Sequence, residues 1–72
     1  MPLQFSARNQ LRAKIKAVKS GEVMAEIVME LADGQEIVSA ITRASAESLN
    51  LSAGDEVVAI IKSTEVMVGK TA

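Results

Sequence analysis

From Glu22 to Leu31 every second residue is apolar: Val23, Ala25, Ile27, Met29 and Leu31 share one side, and Asp33-Gly34 follows at once. Alternation at a period of two is the pattern of a half-buried strand, and Asp-Gly between two such runs reads as a hairpin turn. This feature constrains the chain more than any other, because its neighbours repeat it. Leu11 to Lys19 places Leu11, Ala13, Ile15 and Ala17 on one side and Arg12, Lys14 and Lys16 on the other, before a turn at Ser20-Gly21. Gln35 to Ile41 is expected as a third strand, Asp55 to Lys62 as a fourth, and Thr64 to Val68 as a short fifth.

Between the third and fourth strands the texture changes. Thr42 to Asn50 suits a helix of about two turns, with Thr42 or Ser45 as its N-cap. Ser52-Ala53-Gly54-Asp55 then returns the chain to strand. An all-β, five-stranded OB-like Greek-key barrel with one short helix between strands three and four is the expected fold, as a single domain over residues 1–72.

A barrel this small fills its interior from one face of each strand. Yet Met24, Val28, Val38 and Ala40 lie on the nominally polar faces of their strands, and the fourth strand is apolar on both sides. A second subunit is the expected cover for that surplus. Size argues the same way. A domain of 72 residues buries only about 60% of the surface its unfolded chain exposes. Such domains lean on disulfides, a metal or oligomerisation. With Cys 0 and His 0, disulfides and most zinc chemistry are removed together.

The same absences exclude most enzymes, since nucleophile–base pairs built on His or Cys have no members here. Lys62 and Ser63 are sequence neighbours and point to opposite faces of a strand, which misplaces them as a catalytic dyad. The carboxylates Glu22, Glu26, Glu30, Glu36, Glu47, Glu56 and Glu65 are scattered singly, as solvated charges that keep strand edges soluble. Net charge is −1 and Phe5 is the single aromatic residue, so the chain lacks both the positive excess and the stacking platforms that nucleic acid requires. The N-terminus shows no secretory signal and the apolar runs are far too short to span a membrane, which together point to a cytoplasmic protein.

Hydrogen-bond donors gather in three places. Ser6-Ala7-Arg8-Asn9 precedes the first strand, Thr42-Arg43-Ala44-Ser45 opens the helix, and Lys62-Ser63-Thr64 lies at the break between strands four and five. In this order the clusters resemble the molbindin (Mop) family, small cytoplasmic molybdate-binding proteins related to TOBE domains. The resemblance runs from Ser6 to Gly69. Its marks are Ser6-Ala7-Arg8-Asn9-Gln10-Leu11, Gly21-Glu22-Val23-Met24-Ala25-Glu26, Ala40-Ile41-Thr42 with Ser45, and Leu51-Ser52-Ala53-Gly54-Asp55-Glu56-Val57 leading into Ile61-Lys62-Ser63-Thr64-Glu65-Val66-Met67.

The resemblance implies protomers that exchange N-terminal strands, forming homodimers that assemble to a homohexamer. It also implies molybdate sites at subunit interfaces, with Ser6, Arg8 and Asn9 from one chain and Thr42, Ser45, Lys62 and Ser63 from the other. A further site on the backbone around Gly21 to Met24 is implied near the assembly axis. In related regulator domains an arginine stands where this chain has Ser48, which leaves the charge balance to Arg8 and Lys62; Arg43 is a candidate substitute.

The chemistry agrees. Molybdate is a tetrahedral dianion at neutral pH and takes donors alone, which hydroxyls, amides, Arg and Lys supply. Phosphate, partly protonated, would set a proton against a donor, whereas tungstate hardly differs from molybdate. Storage of molybdate or tungstate, with no catalytic step, is therefore the expected function. The alternatives are a structural oligomerisation module, a piece of a molybdate-responsive regulator or transporter, and an OB-type nucleic-acid binder. Met1 and the tidy C-terminus favour a complete protein over a fragment.

Overall fold

A computed structural model describes residues 4–71. It contains strands β1 (Asn9–Ser20), β2 (Met24–Leu31), β3 (Glu36–Thr42) and β4 (Glu56–Ile61), with helix α1 (Arg43–Ser48) between β3 and β4. The strands form one antiparallel sheet in the order β3-β2-β1-β4. The all-β class and the position of the helix are as the alternation and the Thr42 cap require.

β1 organises the sheet. Its first half, Asn9 to Lys14, pairs with β4, and its second half, Ala13 to Ser20, pairs with β2. The two pairings overlap at Ala13 and Lys14 alone, so the sheet curls about the middle of β1. A bulge sits there: the register jumps between Ile15↔Met29 and Ala17↔Val28, leaving Lys16 unpaired. A bulged residue turns every later side chain to the opposite face. Ala13 and Ile15 thus face the core before the bulge, and Val18 rather than Ala17 faces it afterwards, opposite Ile27, whereas Leu11 is left 38% exposed. The released Lys16 reaches over the sheet to pair with Glu36. That hydrogen bond and the charge of Glu36 raise the lysine above its ordinary pKa.

The core comprises Ile15, Ala25, Ile27, Met29, Ala46 and Ala59, with Ala13, Val18, Ile37, Ile41, Leu51 and Val57 packed against it. Helix α1 contributes Ala46, its one buried residue, and leaves Leu49 exposed. Val23, which the alternation assigned to the core face, is 72% exposed because the strand begins one residue later. At the β2–β3 hairpin Gly34 takes φ 89°, the left-handed region that the turn demands and glycine alone enters freely.

Among the described residues there are four strands rather than five. The segment expected as strand five begins with a 3-10 turn, Ser63–Glu65, and continues without pairing as far as Thr71. Turns of that hand splay two strands instead of folding one back on the other, because their twist opposes that of an antiparallel pair. The sheet is accordingly open between β3 and β4, and no Greek-key closure joins them in the one chain. The radius of gyration is 13.1 Å, against about 11 Å for a compact domain of this length. Within the single chain, β1 pairs with its own β2 and β4.

The surplus apolar face is present. Met24, Val38, Val58 and Ile60 are 47%, 57%, 50% and 42% exposed, whereas Val28, expected on that face, is buried at 9%. No helix among the described residues is long and apolar enough to cross a membrane.

Candidate functional site

The register of β1 on β4 decides which donors meet. Asn9 is opposite Ile61, so Arg8 and Lys62 stand one residue beyond the last pair of the β1–β4 ladder. Two side-chain amides hold this junction. Asn9 Nδ2 donates to the Ile61 carbonyl at 3.2 Å, tying the start of β1 to the end of β4. Gln10 Nε2 donates to the Ala7 carbonyl at 2.9 Å and so holds the bend at Ser6 to Arg8. Asn9 therefore spends one amide N–H on the fold and keeps the other. Ser6, Arg8, Lys62 and Ser63 are all exposed, and among the described residues Arg8 and Lys62 form no ion pair. The nearest carboxylate in sequence is Glu65, which closes the 3-10 turn.

Thr42 and Ser45 lie at another corner. Thr42 pairs with Met24, at the end of β2 that abuts the end of β1. The length of β1, twelve residues and on the order of 35 Å along the strand, separates this corner from Asn9. Thr42 caps α1: its Oγ1 accepts from the Ser45 N–H at 3.1 Å and donates to Ser45 Oγ at 2.7 Å. The Thr42 hydroxyl is thereby used up, while the Ser45 hydroxyl keeps its proton for an outside acceptor. Thr42→Ala should cost about 1 kcal/mol of stability, with Thr42→Ser restoring most of it, read as a shift in the urea midpoint.

The register thus sets Arg8 and Lys62 at one end of the β1–β4 ladder, while Thr42 and Ser45 lie beyond the other end of β1. Arg43 is directed elsewhere: its Nε donates to Glu47 Oε1 at 2.8 Å and one terminal nitrogen to the Gly21 carbonyl at 3.4 Å. The spacing of Arg43 and Glu47, four residues on a helix, is the signal that foretells this pairing. Ser48, where related domains carry arginine, is exposed at the end of α1. The segment from Gly21 to Met24 closes on itself, with the Gly21 N–H on the Met24 carbonyl at 2.7 Å, and Arg43 N–H takes the Val23 carbonyl at 2.8 Å. Gln10, which holds the lead-in, was not among the expected site residues; its place next to Asn9 is the only sequence hint of its role.

What such an arrangement can do is limited and definite. Hydroxyls, an amide, a guanidinium and an ammonium offer donors and positive charge, with no base or nucleophile pair. They suit capture of an oxyanion.

Comparison with known proteins agrees with that chemistry. The chain is 48% identical over 66 residues to molybdenum-pterin-binding protein 3 of Clostridium pasteurianum, covering 92% of this chain and 97% of that protein. Its fold matches a molybdate-binding protein from Sporomusa ovata with a TM-score of 0.89 and 46% identity, over 94% of this chain and all of that one (100%). It also matches ModG, a cytoplasmic molybdate-binding protein solved with molybdate bound, at a TM-score of 0.81 and 41% identity, over 85% of this chain and 43% of that chain. The TOBE domain model matches residues 6–68, and the chain belongs to the TOBE domain family.

Proposed function

We propose that this protein binds molybdate, and tungstate with it, as an intracellular store or buffer, and that it acts as a binding protein with no catalytic step. The observation that carries the reading is the Asn9–Ile61 junction, beside which Arg8 and Lys62 are exposed and outside the ion pairs of the described residues. The relatives named as molybdate-binding and molybdenum-pterin-binding proteins support the choice of anion.

The complete cradle forms in this reading between subunits. Ser6, Arg8, Asn9, Lys62 and Ser63 come from one chain, and Thr42 and Ser45 from a neighbour. The distance between the two corners within one chain supports that assignment, because an ion a few ångströms across cannot touch both. Ser45 then donates its free hydroxyl and Thr42 positions it. The exposed apolar residues Met24, Val38, Val58 and Ile60 give the assembly its buried surface, as homodimers that associate to a homohexamer. The cytoplasm is the proposed compartment, as for ModG.

Equilibrium dialysis of the purified protein tests the reading. Molybdate and tungstate should be retained against millimolar phosphate. Retention of phosphate equal to that of molybdate would contradict a cradle made of donors alone.

A further inference from the structure

Before β1 begins at Asn9 the chain bends at Ser6 and again at Arg8. Gln10 reaches back into that bend, where its Nε2 donates to the Ala7 carbonyl at 2.9 Å. In an extended chain, residues three apart are separated by about 10 Å, beyond the reach of a glutamine side chain. The bond and the bend therefore exist together, and losing one loosens the other. Among the described residues no other hydrogen bond takes the Ala7 carbonyl.

Neighbouring side chains on a strand take opposite faces. Asn9 serves the Ile61 carbonyl on one face, and Gln10 works on the other. The Ala7–Arg8 peptide is trans, so its C=O and N–H point in opposite directions. With the carbonyl anchored on Gln10, the Arg8 N–H is turned away from Gln10, to the side of Asn9. It meets no acceptor among the described residues, and Asn9 keeps its second amide N–H nearby. An oxyanion with no proton of its own takes donors alone. A peptide free to rotate would present it with the Ala7 carbonyl as readily as with the Arg8 N–H.

We infer that Gln10 is a positioning residue for the oxyanion: by holding the Ala7 carbonyl, it presents the Arg8 N–H as a fixed donor beside the Asn9 amide. This role rests on the reading of Ser6, Arg8 and Asn9 as part of the cradle. It is independent of which chain supplies the rest, because Gln10 and Ala7 are three residues apart in one chain. Gln10 acts through the Ala7–Arg8 peptide and touches no ligand.

Gln10→Met is the test, since methionine keeps the length of the side chain and removes its donor. In full-length protein, calorimetric titration with molybdate should show an affinity about tenfold below the parent's, the equivalent of ordering one more residue's backbone on binding. The light-scattering mass and the urea midpoint should stay with the parent, because Gln10 is exposed. In the absence of any oxyanion, ¹⁵N relaxation should give the Arg8 amide an order parameter of about 0.85 in the parent and below about 0.6 in the variant. Equal order in the two proteins would overturn the role, and so would a loosened amide with unchanged affinity. A variant that loses mass or stability along with affinity would make Gln10 structural and overturn it too. A parent that binds neither molybdate nor tungstate would overturn the reading of the cradle and this role with it, whereas a binding parent matched by Gln10→Met overturns this role alone.

Discussion

Replacing Arg8 with alanine is expected to weaken molybdate binding by on the order of a hundredfold, and Lys62→Ala should do the same. The argument is one of charge. A dianion in a cradle partly closed to water is offset by two cations, and removing either leaves it under-compensated. Truncating one member of a hydrogen-bonded charge pair costs about 2–5 kcal/mol, and each 1.4 kcal/mol is about tenfold in affinity. Neither side chain holds the fold: both are exposed, and neither forms an ion pair among the described residues. The variants should therefore keep the parent's mass in light scattering while losing the ligand. Arg43→Ala is the control. Its guanidinium is engaged with Glu47 and the Gly21 carbonyl, and its loss should leave affinity within about twofold, far less than the tenfold step of 1.4 kcal/mol. A large effect at Arg43 with none at Arg8 would assign the cradle's cation to the helix instead of the lead-in.

Ile15→Ala should have the largest effect on stability, about 3 kcal/mol. Ile15 is 2% exposed and sits where the pairings of β1 with β2 and with β4 meet. Its backbone is also tied to the loop before β4, donating to the Asp55 carbonyl at 2.9 Å and accepting from the Gly54 N–H at 2.8 Å. Shortening it opens a cavity under the bulge that a rigid two-stranded crossing cannot collapse to fill. A domain of 72 residues has roughly 4–10 kcal/mol of stability in all, so the loss is a large share. Urea denaturation at fixed protein concentration measures it, since assembly makes the midpoint concentration-dependent. Ile60→Ala, half exposed on the other face, should cost under about 1 kcal/mol in the unassembled chain.

Much of this was legible from the residues. Alternation in Glu22–Leu31 and the Asp33-Gly34 turn specify β2, its hairpin and the buried set Ala25, Ile27 and Met29, because each signal is local. Thr42 as the cap of α1 is local for the same reason. The bulge at Lys16 is not: Leu11 to Ala17 alternates without a break, and only the competing demands of β2 and β4 on β1 force the slip. The fifth strand fails on similar grounds. Val66-Met67-Val68 has strand chemistry, but whether it pairs depends on the turn before it, which the residues of the segment do not specify. As for the site, the three donor clusters are visible in the sequence, yet their grouping is not. Asn9 and Ile61 are far apart in sequence, and the β1–β4 register alone sets Arg8 and Lys62 at the same end of the ladder and leaves Ser45 at another corner.

The most direct test of the account is a calorimetric titration of the assembled protein with molybdate at neutral pH. Tight, saturable heat that disappears in Arg8→Ala and Lys62→Ala is the predicted result, whereas no heat with molybdate or tungstate would contradict it.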